Sequence, residues 1–332
     1  MQCGNPKLCH ITEKKRIWRH WSQSSFVHRQ AAQLVTDCGH CLICKKKRAN
    51  ELSMRCVLEN SLHDHSCFLT LTYDEKKQGY ENVLDYKHIQ DFKKRFRSYV
   101  HRQSKTKIKI FNVHEYGKNG KKHWHLLVFG HDFKDKKRLK YKNGNWLYTS
   151  KRLEQLWPFG LSSIGSVTEA SAMYQAQYLE KDVKNGNWEE EKKSKSNHSS
   201  LGRDWFLNNY RQVLQLGYIP FGGGKRPVPR YFEERIAKKH WAFFYDPIRF
   251  HDTLDRKQEF RLFNFEKEKP NYEMARLFID YQKIKREDIE HKEILWQIQV
   301  ENSNATGVEP DFVRSLENAH KRQKQLQKQE KF

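Results

Sequence analysis

Residues 107–117, KIKIFNVHEYG, and residues 123–130, HWHLLVFG, are two strand-like runs separated by the turn residues GKNG. β-Branched, aromatic and aliphatic side chains fill both runs, and a Gly-rich link is what a chain reversal needs. Period-two alternation puts His123, His125, Leu127 and Phe129 on one face, with Trp124, Leu126 and Val128 on the other. Two imidazoles beside such apolar neighbours need partners, because burying a polar ring without one is costly. If the strands pair about Asn119, Glu115 stands opposite His123 and Val113 opposite His125. A slip of one residue would undo that alignment.

The flanking sequence supplies helices and more strands. KKKRANELSMRCVLENSL (45–62) has helical periodicity, and CFLTLTY (67–73) reads as a strand. Asp85 is placed to cap a helix whose stripe is Ile89, Phe92, Phe96, Tyr99 and Val100. A hairpin is expected at 138–149, then a short helix from Ser150 that stops before Pro158. LSSIGSV reads as a strand, and Thr168 caps a helix over 169–183. Residues 184–200 are expected as a mobile polar loop and GYIPFGGGKRPVPRYF as a turn-rich extended segment. Beyond residue 233 the chain is charged and mostly helical by pattern, with no internal repeat.

Lys plus Arg outnumber Asp plus Glu by 63 to 40, a net charge of +23, and 13% of residues are aromatic. That balance favours a polyanionic partner, nucleic acid above all. No apolar run approaches the length of a bilayer span and the first residues lack a signal-peptide core, so a cytoplasmic protein with no membrane partner is expected. The seven cysteines are odd in number and cluster early, which argues against a disulfide framework. Cys38, Cys41 and Cys44 have knuckle spacing, and Cys3, Cys9 or His10 would complete a structural Zn²⁺ site. Buried thiols without metal are the alternative.

Glu115, His123 and His125 together form a three-ligand metal site with open positions, suited to metal-assisted phosphoryl chemistry. A zinc-protease reading fails because Lys118 stands where HEYGK would need its second histidine. A second set lies in YQAQYLEK, where spacings of four and three put Tyr174, Tyr178 and Lys181 on one helical face. A phenol, with a pKa of about 10, leaves phosphorus more readily than a sugar alkoxide. A phosphotyrosine link therefore conserves the energy of a cut phosphodiester. Lys181 is placed to stabilise charge on phosphate or phenolate.

FLTLTY, HEYG…HWH and YQAQYLEK together resemble the HUH endonucleases, named for their His-hydrophobic-His strand. More closely, residues 36–235 resemble the replication initiation proteins of microvirus and gokushovirus-type single-stranded DNA phages. CGHCLICKKKRANELSMRC, LWPFGLSSIGSVTEASAMYQAQYLEK, SSLGRDWF and RPVPRYF also carry the likeness. The resemblance implies an α+β fold, an HUH-like antiparallel sheet flanked by helices, to which the chain adds a Cys-rich N-terminal segment and a helical C-terminal extension. The divisions expected are 1–60, 61–235 and 236–332. It maps the family's histidine pair onto His123 and His125, its acidic ligand onto Glu115 and its paired tyrosines onto Tyr174 and Tyr178. It implies Mg²⁺ or Mn²⁺, which mixed imidazole and carboxylate ligands accept. It further implies rolling-circle initiation: a nick at the origin, a 5′-phosphotyrosine and circle closure, in the cytoplasm of a host cell. GGGKRP lacks the upstream glycine and the Ser/Thr of a Walker A loop, so unwinding is expected from a host helicase. A plasmid relaxase or transposase of the same superfamily shares this chemistry. A non-catalytic zinc-knuckle binder of nucleic acid is the reading from another class.

Overall fold

The structure is a computed structural model that describes residues 7–11, 16–20, 34–36, 38–39, 42–74, 76, 85–116, 121–142, 144–181, 194–195, 201–239, 271 and 273–287. The chain divides into two compact units, Ile43–Leu207 and Met1–Leu42 with Asn208–Phe332. The elements in order are β1 (Lys7–Ile11), β2 (Arg16–His20), β3 (Leu34–Thr36), α1 (Leu42–Asn60), β4 (Ser66–Tyr73) and α2 (Tyr86–Ser104). Next come β5 (Lys109–Tyr116), β6 (Lys122–Phe129), β7 (Lys137–Lys142), β8 (Asn145–Thr149), α3 (Lys151–Leu156) and β9 (Gly160–Gly165). They are followed by α4 (Glu169–Lys181), β10 (Ser194–Lys195), α5 (Arg203–Leu216), β11 (Tyr218–Phe221), β12 (Gly224–Pro227) and α6 (Arg230–Lys239). A further helix, α7, spans 273–287.

The larger sheet has the order β10-β5-β6-β4-β9-β8-β7, and every pairing in it is antiparallel. The hairpin register is the one expected about Asn119, with Glu115 opposite His123 and Val113 opposite His125. Alternation then sorts the strands into two faces. On one, Leu69, Leu71, Trp124, Leu126 and Val128 pack with Ile89, Phe92, Phe96 and Val100 of α2 and with Leu153 of α3. On the other, Phe111, Val113, Leu127 and Phe129 pack with Ala49, Leu52 and Cys56 of α1 and with Ala172 and Ala176 of α4. Each large apolar side chain so buried contributes about 1.5–3 kcal/mol, and this two-sided burial is what holds the sheet.

Local signals set the helix ends. Asp85 accepts from the Lys87 amide at 2.7 Å, and Ser150 accepts from the Leu153 amide at 3.1 Å. Thr168 and Ser171 cap each other: the Ser171 amide donates to Thr168 Oγ1 at 3.1 Å, and the Thr168 amide to Ser171 Oγ at 2.8 Å. At Gly160 a side chain would overlap the Thr72 carbonyl oxygen, so only glycine lets β9 lie against β4 there.

Several expectations are modified. The expected boundary at residue 60 falls after α1, yet that helix packs on the sheet because its apolar stripe has nowhere else to go. Within the segment expected as a loop, Ser194–Lys195 pairs with Asn112 and Phe111 of β5. The turn-rich stretch after residue 217 forms the β11–β12 hairpin and α6. The Cys-rich start contains an antiparallel sheet in the order β2-β1-β3. In the second unit, Arg211 grips Glu273 at 2.6 and 2.7 Å, and Lys285 pairs with Glu233 at 2.7 Å. Residues 182–183, most of 184–200, and the chain beyond 287 lie outside the described residues.

Candidate active site

His123 and His125 lie on the face of the sheet shared with α4, and β4 supplies their first partners. The β4–β6 register sets Thr72 opposite His123 and Thr70 opposite His125. Thr72 Oγ1 lies 3.0 Å from His123 Nδ1, and Thr70 Oγ1 lies 3.1 Å from His125 Nδ1. A threonine hydroxyl can donate or accept, so it serves either tautomer of the ring it holds. Both rings are thereby oriented with Nε2 turned away from β4. Phe68 stacks on His125 with centroids 5.5 Å apart and planes 8° from parallel.

Glu115 closes the patch. Its Oε2 lies 3.1 Å from His125 Nε2 and accepts a longer hydrogen bond from the Tyr174 hydroxyl at 3.4 Å. The Tyr174 ring meets the His125 ring edge-on at 5.8 Å and 78°. Tyr174 is 44% exposed, so its phenol reaches both the carboxylate and solvent. Burial, helped by His125 and Lys121 and opposed by Glu115, holds the His123 imidazole below its usual 6.5. Near neutral pH His123 therefore keeps a lone pair to offer a cation.

Helix α4 is pinned by a buried amide. Gln175 Nε2 donates to the Phe111 carbonyl at 2.7 Å and to the His125 carbonyl at 3.1 Å, tying α4 to the two strands that carry Glu115 and His125. Tyr174 is the adjacent residue, so this clamp sets where its phenol stands.

Of the residues singled out in the sequence, Glu115, His125 and Tyr174 meet through hydrogen bonds. His123 lies beside them with its ring centroid 6.1 Å from that of His125. Tyr178 and Lys181 are on α4, but their side chains lie outside the described residues. Among the described residues no three His, Cys, Asp or Glu side chains stand together in ready metal-holding geometry. Glu115 instead closes on His125. The donor set nonetheless fits a hard or borderline divalent cation: two imidazoles oriented through Nδ1 and one carboxylate on the same patch. Cys38 and Cys44 are buried thiols, not disulfides. Cys3 and Cys41, and the side chains of Cys9 and His10, lie outside the described residues.

Thr70, Thr72 and Gln175 have no role in the sequence reading. The threonines had a signal, since their alternation in FLTLTY matches that of the histidines, but only the β4–β6 pairing turns it into contact. Gln175 had none, because a glutamine beside a tyrosine is ordinary on a helix.

Residues 66–183 match the model of the ORF2-type replication-associated protein family, a span that includes every residue of this patch. The chain is 34% identical over 213 residues to "Replication-associated protein ORF4" of Chlamydia phage 1, covering 60% of this chain and 53% of that protein. The chain is similar to phage replication-associated proteins. It is also 29% identical to "Replication-associated protein VP4" of Bdellovibrio phage phiMH2K over 65% of this chain and 72% of that protein. A third relative, "Replication-associated protein ORF2" of Spiroplasma virus 4, is 29% identical over 74% of this chain and 83% of that protein. With the Chlamydia phage protein the match thus spans about half of the relative's length. No solved structure matches the chain. Among the described residues no helix is long and apolar enough to cross a membrane.

Proposed function

We propose that this chain initiates replication of a phage genome by nicking one DNA strand with a tyrosine and later rejoining it. The observation that carries the reading is Tyr174: an exposed phenol hydrogen-bonded to Glu115, whose carboxylate also meets His125. The relatives' printed role in replication and the net charge of +23 support DNA as the substrate.

In this mechanism a tyrosine oxygen attacks the scissile phosphorus. The new bond is P–O(Tyr), the phenol gives up its proton, the P–O3′ bond breaks, and the departing 3′ oxygen takes up a proton in its place. The 5′ end stays on the enzyme as a phosphotyrosine, and a free 3′-hydroxyl reverses the step without ATP, because the phosphodiester energy is kept. Mg²⁺ or Mn²⁺, held by His123, His125 and Glu115, would draw charge from the phosphate. The threonine-held histidines fix the ligand directions. Tyr174 and Tyr178 alternate as nucleophiles in successive cuts, and Lys181 steadies the developing charge. Origin duplex and single-stranded DNA are the substrates, a host helicase supplies unwinding, and the work is done in the host cytoplasm.

A denaturing gel of the protein with labelled origin single strand and Mn²⁺ tests this. Tyr174→Phe and Tyr178→Phe should each still form some covalent adduct but fail at repeated rounds of cutting and joining, and the double variant should form none. An adduct from the double variant would remove both tyrosines from the mechanism. Salt-sensitive binding with no adduct from the unaltered protein would select the non-catalytic reading.

A further inference from the structure

The far edge of the larger sheet carries a surface that the nicking centre does not use. β7 is exposed along its whole length and reads KRLKYK, while Lys136 just before it is held by Asp132. The single carboxylate within 133–149, Asp135, is already engaged by the Ser150 hydroxyl at 2.6 Å and the Arg152 amide at 3.0 Å. The hairpin partner β8 joins β9 with Tyr148 opposite Ile164, and the end bearing Tyr141 and Trp146 extends beyond that junction.

Charge alone has a simple explanation, because lysines on an edge strand discourage pairing with other chains. That device does not explain the aromatic residues. Tyr141 is 61% exposed and Trp146 40%, directly opposite each other in the hairpin with ring centroids 5.3 Å apart. Arg138 lies over the Trp146 ring at 4.8 Å and holds one side of the indole. Lys140 and Lys142 alternate onto the opposite side of the ribbon. An edge that only avoided aggregation would not present two large exposed rings among its cations.

We propose that the β7–β8 hairpin is a second DNA-binding site, specific for single strands, that stacks unpaired bases on Tyr141 and Trp146 and, as the strand passes round the free edge of β7, holds phosphates with Lys140 and Lys142. Rings favour an unpaired strand because duplex bases have no free faces to stack on. The sheet connects the lysine side of this site to the nicking centre. Thr70 lies opposite both His125 and Ser163, and Lys137 lies opposite Thr149. With Tyr148 against Ile164, Thr149 falls beside Ser163. Three hydroxyl side chains thus form a row from His125 to the first lysine of β7, about 19 Å across four strand spacings. The row is on the face that also carries Lys140 and Lys142, whereas Tyr141 and Trp146 lie on the face of Tyr148 and Ile164 that packs with α2. A strand leaving the cut meets the lysine side first and passes round the free edge of β7 to the rings, which keeps the displaced end from drifting off.

The inference rests on the reading of this chain as an enzyme of single-stranded DNA. Its test measures binding apart from cutting. Fluorescence anisotropy of a labelled oligothymidylate, in EDTA, compares the unaltered full chain with Tyr141→Ala/Trp146→Ala and with Lys140→Gln/Lys142→Gln. Circular dichroism first establishes that each variant is folded. The aromatic pair should weaken single-strand binding about tenfold or more and change binding to a blunt duplex less than about twofold. The lysine pair should lower the slope of log K against log salt by about 1.4, about 0.7 for each phosphate no longer neutralised. Unchanged single-strand affinity in the aromatic variant, or an equal loss for duplex, would overturn the hairpin site. If the unaltered chain forms no adduct but the hairpin variants still lose single-strand binding, the nicking reading fails and the hairpin site stands.

Discussion

Thr72 shows how a neutral side chain can set the direction of a histidine. Its hydroxyl, 3.0 Å from His123 Nδ1, sets the direction of the ring. Thr72→Val keeps the shape and removes that partner, so Mn²⁺-dependent adduct formation should fall about 10–100-fold while DNA binding in EDTA holds. A titration of adduct yield against Mn²⁺ reads this, and an unchanged curve would deny Thr72 a part in orienting His123. Glu59 is the corresponding residue for stability. Fully buried, it accepts from His63 Nε2 at 2.8 Å, Lys109 Nζ at 2.9 Å and the Gly202 amide at 2.9 Å. Burial pushes its carboxyl up, but those donors outweigh burial and hold it below the usual 4.5. Glu59→Gln should cost about 3 kcal/mol at neutral pH, measured as a shift in urea midpoint. Because the folded value is depressed, this contribution is complete above the unfolded value of 4.5 and is lost as pH falls through the folded one. The gap between the two proteins should therefore hold from neutral pH down to about 5 and shrink only below about 4.5.

The elements matter through how they are tied together. Helix α4 has a capped start and small buried residues, Ala172 and Ala176, that let it lie close on the sheet. Gln175 fixes its position by directional bonds to both hairpin strands. Gln175→Leu leaves the Phe111 and His125 carbonyls without that donor and should cost about 2 kcal/mol. The rate of adduct formation at saturating Mn²⁺ should fall further than stability explains, with Kd for DNA unchanged, because Tyr174 is no longer held over Glu115. A variant that loses stability yet nicks at the original rate would reduce Gln175 to a packing residue. Gly160 has a similar meaning for β9: the close approach to Thr72 holds in place the strand that carries a histidine partner.

Across the whole molecule, the proposed binding and cutting draw on different resources. The net charge of +23 is spread over the chain, whereas the proposed metal ligands are three side chains on one patch. EDTA should therefore abolish nicking and change DNA affinity less than about twofold at fixed salt, and His125→Ala should behave alike. Cleavage undiminished in EDTA would take the metal out of the mechanism.

Strand alternation, turn residues and helix caps were legible because they depend on neighbours within a few residues. That is why the hairpin register, the facing of Glu115 with His123, and the caps at Asp85, Ser150 and Thr168 could be read from the chain alone. The same locality limits what could be read. Thr70 and Thr72 meet the histidines across 55 and 51 residues, and Gln175 reaches Phe111 across 64. Which strands become neighbours depends on how both faces of the sheet are buried together, and no short window of sequence contains that balance. Sequence determined the chemistry available, two imidazoles, a carboxylate and a phenol. Tertiary structure decided which hydroxyls orient the imidazoles and which amide holds the phenol in place.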